Sequence, residues 1–371
     1  MGILVKNSDF GKIYGISRTE YFINDYLTFT ALEDGQFTLK LPDSITATQV
    51  ANVSYRVNEG EWVETVNDNT LKTITVDNIK AGDKVEWKGN GTTYSTANGK
   101  YCNFGSTCKF DVSGNVMSLL YGDDFAEHNE LQTTFTFNRL FINCVNLINA
   151  QYLSMPATTL TNYCYQAMFF SCTGLVTAPE LPATTLALSC YMGMFNGCSS
   201  LIEQPELPAT KMVQYCYNCM FQNCSSLTKV HKLPHCALAD GCWAGMFVGT
   251  GLKTYFDLEY TTPVSYCFNS MFAECASMTK APVIHLTSTV DEAIGEIFLN
   301  CTSLNEVEIY IPAPTLDANN KYFLDKMWLQ NVAPSGVLKV HANSESDKEK
   351  WNSEDAVNVN CVPEGWTVVF V

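Results

Sequence analysis

A unit of about 26 residues recurs through the middle of the chain and sharply limits what the chain can fold into. The unit has the form C-aromatic-x-x-M-F-x-x-C-x-x-L, and two copies continue into P-E-L-P-A-T. Because a unit this short cannot bury an apolar face alone, successive units must stack into a solenoid. The Met-Phe step or its equivalent falls at Leu140-Phe141, Met168-Phe169, Met194-Phe195, Met220-Phe221, Met246-Phe247, Met271-Phe272 and Ile297-Phe298.

Each unit is predicted to contain a short helix and an extended segment. Cys164, Met168 and Cys172 stand at i, i+4 and i+8, the spacing of one apolar helical face. Pro179 and Pro182 follow, and two prolines so close together exclude a helix and favour extended backbone or a short edge strand. The sequence therefore predicts about seven coils, each built from a helix and a strand.

The repeat accounts for most of the 16 cysteines. Small, polarisable thiols pack well where identical side chains stack, so we interpret them as inert core residues. A disulfide ladder needs Cα atoms within about 7 Å, and no histidine cluster accompanies the cysteines to complete a zinc site. The predicted repeat core is Cys164, Met168, Phe169, Cys172, Cys190, Cys198, Cys216, Cys224, Cys242, Cys267, Cys275 and Cys301.

An aromatic residue follows each cysteine of one column, and two interpretations of this aromatic column stay open. Its side chains are expected at the edge of the helical face, where Tyr and Trp offer rigid contacts to a glycan or a protein. They would equally shield the edge of the core and stabilise stacking. The candidate ligand-binding residues are Tyr165, Tyr191, Tyr217, Trp243 and Phe268.

At these residues the chain resembles the BspA-like class of bacterial leucine-rich repeats. Met168–Cys172 and Met194–Cys198 match the helix signature of that class, and Leu-Pro at 181–182 and 207–208 matches its strand end. The resemblance covers roughly residues 135 to 310. Thr250 stands where a cysteine is expected, so we expect its unit to be less regular. The seventh unit, with Ala293 in the first cysteine column, carries the same expectation.

The resemblance implies a binding protein without enzymatic activity. Proteins with these repeats, common in Bacteroides and in phages that infect them, act as adhesins or as structural surface parts. Some resemble this chain further, with a preceding β-sandwich and a cap ending in a sequence like Gly365–Val368.

The flanks predict β-structure before the repeat. Residues 26–112 hold seven short alternating segments between turns, which indicates an Ig-like β-sandwich with Trp62 and Trp87 in its core. Residues 111–125 are expected to seal the first coil of a solenoid spanning 113–310. The predicted strands are Leu27–Ala31, Gln36–Leu41, Val50–Val57, Glu61–Val66, Leu71–Val76, Asp83–Lys88 and Thr107–Val112.

The two ends of the chain receive separate predictions. Residues 311–371 form a C-terminal cap, with strands at 337–340 and 366–371 around a charged helix or loop at 345–350. Residues 1–25 are too apolar for a disordered tail and are expected to dock onto the sandwich or onto a partner assembly. The whole chain is predicted to be α+β: an Ig-like sandwich, a leucine-rich-repeat solenoid and two caps.

Charge and hydropathy exclude several classes of partner. The formal net charge is -16 and no basic patch is evident in the sequence, so nucleic acid is not an expected partner. No stretch approaches the 18 or so apolar residues of a membrane span. The first 25 residues lack the apolar core of a signal peptide, so the chain as written is not expected to be exported.

No catalytic residue, metal or cofactor is predicted. The five histidines fall in no nucleophile or metal motif. His231 and His235 are separated by Pro234, which breaks the helix that would align them. Glu180 and Glu206 recur as a carboxylate column and are interpreted as exposed spacers.

The sequence therefore predicts a virion structural protein of a bacteriophage, associated with the tail or fibre. Residues 1–25 would dock onto other virion proteins, and the solenoid would face outward to bind host glycan or protein. The sequence leaves open whether the protein is a homo-oligomer. The alternative is a bacterial cell-surface adhesin whose leader is absent from this sequence. A glycan-degrading tail spike is disfavoured because it needs paired carboxylates at a cleft.

Overall fold

A computed structural model describes most of the chain. In this part the fold is mostly β, with two short α-helices, Ser118–Tyr121 (α1) and Glu345–Asn352 (α2), and a 3-10 helix at Gly122–Glu127. Most of the predicted docking segment 1–25 and residues 311–326 of the predicted C-terminal cap lie outside the description. The described residues are 23–42, 45–50, 52–96, 100–259, 262–286, 292–310, 327–342, 344–352 and 362–371.

The N-terminal region forms two sheets. One has the strand order β4-β3-β6-β1-β8-β9 and the other β5-β2-β7. The strands are β1 Leu27–Ala31, β2 Gly35–Lys40, β3 Asn52–Val57, β4 Val63–Val66, β5 Thr73–Ile79, β6 Lys84–Gly89, β7 Asn103–Ser106, β8 Phe110–Asn115 and β9 Leu147–Ser154. The seven strands predicted before the repeat each have a counterpart here, whereas β7 was not predicted.

Aromatic side chains join the two sheets. Phe29 of β1 lies 5.3 Å from Phe37 and 4.8 Å from Phe104, measured between ring centroids, and both partners belong to the second sheet. Trp87 is fully buried, which confirms its predicted core position. Trp62 is not in the core: its partly exposed ring lies 4.3 Å from the Lys88 ammonium.

The N-terminal sheets continue directly into the repeat. Strand β8 pairs in parallel with β9, which belongs to the first coil. The backbone NH of Phe104 donates to the carbonyl of Leu140 at 2.8 Å, and the Phe104 ring stacks on Phe141 with centroids 5.5 Å apart. These contacts, with Tyr94 stacked on Phe137 at 6.1 Å, cover rings of the first coil. Of the segment predicted to seal that coil, β8 makes the pairing with β9, whereas helix α1 packs against β6.

The predicted helix is wrong in every repeat that the structure describes. The segment around each Met-Phe step is a row of consecutive turns, in which every fourth residue has a positive φ. A helix requires negative φ throughout, so no helical turn can form across these positions. The positions are Phe135, Arg139, Asn143, Tyr163, Ala167, Ser171, Ser189, Gly193, Gly197, Tyr215, Cys219, Asn223, Gly241, Gly245, Gly249, Tyr266, Ser270, Glu274, Glu292, Glu296 and Asn300.

Each turn row pairs its backbone NH groups in two alternating ways. In residues 189–198, every second NH donates three residues back within the row, as from Met194 to the Tyr191 carbonyl at 3.1 Å. The intervening NH groups donate to the next coil, as from Phe195 to the Met220 carbonyl at 2.9 Å. The row therefore forms the hydrogen bonds that close its own turns and also hydrogen-bonds to the neighbouring coil.

The spacing of the buried residues explains why a turn row was mistaken for a helix. Buried side chains recur every four residues, as Cys164, Met168 and Cys172 do. On a helix of 3.6 residues per turn, each such step would drift by about 40° around the axis. A turn row repeats every four residues without drift, so it keeps all three side chains on the inner side.

The opposite side of the coils carries parallel pairing that strengthens toward the C-terminus. Isolated parallel bridges, such as Thr159 to Thr185 and Glu203 to Lys229, connect the middle coils. A parallel sheet of order β10-β11-β12-β13-β14 then follows, formed by Leu258–Glu259, Ile284–His285, Glu306–Tyr310, Gly336–Val340 and Trp366–Phe370. The two strands predicted near the C-terminus are confirmed as β13 and β14, and the charged stretch between them forms α2.

Candidate functional site

The aromatic column singled out as a candidate ligand-binding site lies in the core. Tyr165, Trp243 and Phe268 are 0% exposed, and Tyr191 and Tyr217 are 1% exposed. From Tyr165 to Trp243 the rings stack nearly parallel, with centroids 5.0 to 5.8 Å apart. The rings cover one another's faces and do not lie at an open edge, so the structure leaves none of them accessible to a ligand.

A second aromatic ladder runs beside the first. Its neighbouring centroids are 5.3 to 5.9 Å apart and its planes differ by 1 to 11°. Stacked aromatic pairs contribute about 0.5–1.5 kcal/mol each beyond the area they bury. These rings therefore hold the coils in register. The ladder consists of Phe141, Phe169, Phe195, Phe221, Phe247, Phe272 and Phe298.

The cysteines connect neighbouring coils as hydrogen-bond donors. The Sγ of Cys198 donates to the carbonyl of Phe169 in the preceding coil at 3.1 Å. Equivalent contacts of 3.0 to 3.1 Å are made by Cys172, Cys224, Cys275 and Cys301. All described cysteines are free thiols. Burial raises the pKa of Cys164 to about 12, which keeps this thiol protonated and unreactive.

Thr250 replaces a cysteine in this column with a different hydrogen bond. Its hydroxyl donates within its own coil, to the Phe247 carbonyl at 2.8 Å, and lies 3.3 Å from the Sγ of Cys275. The neighbouring Gly249 keeps the positive φ of the turn row. The seventh unit, with Ala293, keeps the same four-residue rhythm of positive φ. The expectation that these units are less regular is wrong for their turn rows.

Cys216 and Cys219 form a Cys-x-x-Cys pair, a spacing that also occurs in zinc and redox sites. Cys216 is fully buried inside the coil, whereas Cys219 has positive φ and is partly exposed. The Sγ of Cys219 lies close to Gly245 of the next coil, where an added Cβ would approach it to 2.9 Å. The turn row therefore separates the two thiols, one inside and one outside.

No described residues converge as a metal site, and the two nearby histidines do not act as a pair. Within the described ranges, no group of three or more His, Cys, Asp or Glu side chains is placed to hold an ion. His231 and His235 line different clefts. None of the helices in the described part of the chain has the length and hydrophobicity needed to cross a bilayer.

A groove of about 650 Å³ lies on the extended side of the coils. We call it the PELP groove after the Pro-Glu-Leu-Pro segments at 179–182 and 205–208. Proline has no NH, so Pro179 and Pro205 cannot donate to a neighbouring coil, and the coil-to-coil ladder is interrupted there. The groove is lined by Gln151, residues 177–182 and 202–206, Pro208 and His231.

The PELP groove combines an apolar floor with acidic walls. Pro179 and Leu181 are buried in the floor, and the side chain of Ile202 is 39% exposed beside them. Three carboxylates, those of Glu180, Glu203 and Glu206, line the same groove. Glu203 forms an ion pair with Lys229, whose Nζ lies 3.9 Å from its carboxylate. The two glutamates interpreted as spacers, Glu180 and Glu206, thus share one surface.

Gln204 is the exceptional residue of the PELP groove. It is 1% exposed, and its Oε1 is buried without a hydrogen-bond partner. Leaving a buried acceptor unsatisfied costs about 1–3 kcal/mol. The equivalent positions one repeat before and after are Ala178 and Val230, which bury no such group. A break in the repeat pattern at a single buried position was the sequence signal that could have located this site.

No family model, curated protein or solved structure matches the chain.

Proposed function

We propose that this protein is a non-enzymatic attachment protein, which binds a host glycan or protein through the PELP groove. The observation that carries the proposal is the groove itself, a concave surface in which the half-exposed Ile202 lies beside three glutamates. Concave surfaces that combine apolar contact with a few polar groups are typical of binding sites.

The proposed setting is the surface of a bacteriophage virion, as part of the tail or a tail fibre. Its support is the resemblance of the repeat to a class found in phages and in surface proteins of gut bacteria. The predicted docking of residues 1–25 onto other virion proteins is part of the same proposal. The buried thiols are held protonated, which supports a role for them in packing.

At the level of fold families, we propose an Ig-like sandwich followed by a variant of the BspA-like repeat in which a turn row replaces the helix. Two facing sheets with a shared aromatic core support the sandwich. In antibody constant domains the first strand lies in one sheet and the last strand in the other. Here the first strand, β1, lies between β6 and β8 in a single sheet, so the order departs from that arrangement.

Binding of the purified chain to intact host cells tests the attachment role. Ile202→Arg places a bulky charge in the PELP groove and should abolish binding. Val145→Arg is the matched control, because Val145 is a β-branched residue that is 51% exposed and lies outside the groove lining. Equal binding by both variants would exclude the groove as the attachment site.

Sedimentation of particles in a density gradient tests the virion setting. The protein should travel with intact particles and be released only when they are dissociated. Cell binding without any particle association would favour the bacterial adhesin.

A further inference from the structure

The N-terminal region has a concave surface of its own, at one end of the three-stranded sheet β5-β2-β7. Its volume is about 500 Å³, and we call it the lysine groove because Lys40, Lys72 and Lys100 line it. Of the described residues that line it, none is acidic. The whole chain has 22 Lys and Arg against 38 Asp and Glu, so this local excess of positive charge is opposite to its composition.

The fold brings the three lysines together from distant parts of the sequence. Lys40 is the last residue of β2, and the NH of Leu41 donates to the Lys72 carbonyl at 2.8 Å, just before β5 begins. Lys100 is held before β7 by the NH of Thr96, which donates to its carbonyl at 2.8 Å. Because the three strands end or begin at the same place, these lysines meet at one surface although no basic patch is evident in the sequence.

Two of the three ammonium groups lack an opposite charge. Lys40 and Lys100 are exposed, and neither forms an ion pair with another described residue. Other lysines of the N-terminal region do, such as Lys80 with Asp34 at 2.9 Å. A concave surface lined by charge of one sign raises the local concentration of the opposite charge. The lysine groove is therefore suited to an anionic ligand.

Neutral polar side chains lie beside these charges. Lys40 is directly opposite Thr73 on one neighbouring strand and Asn103 on the other, and directly opposed residues project from the same face of a sheet. The Asn103 amide nitrogen donates to the Phe104 carbonyl at 3.3 Å, which leaves the amide oxygen able to accept from a ligand. Hydroxyl and carboxamide groups together both donate and accept, as the hydroxyls of a sugar do.

An aromatic ring completes the lysine groove. Tyr101 lines it and is partly exposed, and the guanidinium of Arg139 lies 5.4 Å from the centroid of its ring. Tyrosine offers rigid contact area at a low cost in side-chain entropy. Positive charge, neutral polar groups and an aromatic ring are together complementary to the carboxylate, the hydroxyls and the apolar ring face of an acidic sugar.

A nucleic acid fits these observations less well. Single strands bind by stacking their bases on open aromatic faces along a basic channel, and one face of Tyr101 is already covered by Arg139. The net charge of -16 also repels a long polyanion. A short saccharide with a single carboxylate on each sugar carries less charge and matches the size of the groove.

We propose that the lysine groove is a binding site for an anionic saccharide whose sugar carries a carboxylate. Lys40 and Lys100 bind the carboxylate, while Thr73 and Asn103 form hydrogen bonds with the ring hydroxyls and Tyr101 contacts the ring. The lysine groove shares no lining residue with the PELP groove. The inference therefore does not rest on the function proposed for that groove.

Fluorescence anisotropy of a labelled oligogalacturonate, titrated with the full chain, tests the proposal. The acidic saccharide should bind, with an affinity that falls as salt is added, and a neutral galactose oligosaccharide of equal length should not. Lys40→Gln and Lys100→Gln should each weaken binding by about tenfold, because a hydrogen bond to a charged group is lost. Lys40→Arg keeps the charge and should bind nearly as the unsubstituted chain does.

Lys211→Gln is the matched control, because Lys211 is an exposed lysine outside both grooves. This variant and Ile202→Arg should bind the saccharide as the unsubstituted chain does. The substituted lysines are exposed, so the urea midpoint of unfolding should stay unchanged in every lysine variant. A loss of binding is then distinct from a loss of folding.

Several results would overturn the proposal. Unchanged binding by a chain carrying both Lys40→Gln and Lys100→Gln would remove the lysines from the site, and equal binding of the neutral saccharide would remove the charge requirement. A single-stranded oligonucleotide or a polyglutamate peptide that binds as tightly as the oligogalacturonate would refute the saccharide class. Loss of saccharide binding in Ile202→Arg would place the ligand in the PELP groove instead. If the lysine variants behave as expected and Ile202→Arg keeps host-cell binding, only the function proposed for the PELP groove fails.

Discussion

Alkaline pH should unfold this protein while its cysteines are kept reduced. Burial raises the pKa of twelve buried thiols above the ordinary value, to about 12 for Cys164. In the unfolded chain the pKa of a cysteine is about 8.5. A thiol whose pKa is raised by folding stabilises the folded chain fully at pH values below its pKa in the unfolded chain. This stabilisation is lost as the pH rises from the unfolded pKa toward the folded pKa. The twelve are Cys102, Cys144, Cys164, Cys172, Cys190, Cys198, Cys216, Cys224, Cys242, Cys267, Cys275 and Cys301.

The number of thiols makes the expected effect large. One pH unit above the unfolded pKa, each thiol held protonated favours the unfolded chain by about 1.4 kcal/mol. For twelve such thiols the total is about 17 kcal/mol, larger than the roughly 5–15 kcal/mol that stabilises typical domains. We therefore expect the midpoint of unfolding between about pH 9 and pH 10.

Circular dichroism and tryptophan fluorescence against pH, with a phosphine reductant present, would measure this transition. A variant carrying Cys190→Ala and Cys216→Ala should lose stability less steeply with pH, by about 1.4 kcal/mol per removed thiol and pH unit. Cys236→Ala is the control, because Cys236 is only partly buried. A native spectrum persisting to about pH 11 would refute the reasoning, since unfolded thiols would then be fully ionised.

Three further predictions concern the turn row and its ladders. Gly197→Ala should lower the free energy of unfolding in urea by about 1 kcal/mol, because φ at Gly197 is 78°. Ser171→Gly, at a position where φ is 56°, should raise it by up to about 1 kcal/mol. If Gly197→Ala stabilised the chain and Ser171→Gly destabilised it, the turn row would be contradicted. Thr250→Val should cost about 0.5–1.5 kcal/mol in thermal or urea unfolding, because the hydroxyl's hydrogen bond is lost while the Phe247 carbonyl still accepts from the Sγ of Cys275, and Thr250→Cys should be close to neutral. Phe195→Ala should cost about 3–5 kcal/mol in the same assay, and a loss below about 1 kcal/mol would mean that the phenylalanine ladder does not hold the coils together.

The amino-acid pattern alone was enough to predict that the repeats stack and which of their residues lie inside the stack. The repeat of about 26 residues places like side chains in columns, and the predicted core residues, such as Met168, Phe169 and Cys172, are fully buried. Strand β1 was predicted at the bounds it has, and β13 and β14 nearly so, because alternation over a short segment with clear turns is a local signal.

The backbone conformation of the repeat depends on contacts between coils. Residues at i, i+4 and i+8 fit a helical face approximately and a turn row without drift, so the apolar pattern alone did not distinguish them. The choice between a helix and a turn row depends on backbone NH groups such as that of Phe195, which donates to the Met220 carbonyl in the next coil. Glycines at 193, 197, 241, 245 and 249 were the local indication that positive φ recurs every four residues.

The stacking of adjacent coils also formed the candidate site. Glu180 and Glu206 were visible as a repeating carboxylate, but only adjacent coils bring them to one groove with Gln204 between. The aromatic column from Tyr165 to Phe268 carried the stronger sequence signal for binding, and the close stacking of coils placed it in the core. A sequence period fixes which residues are neighbours across coils; whether those neighbours face inward or outward depends on the path of the backbone within each coil, which nonlocal hydrogen bonds set.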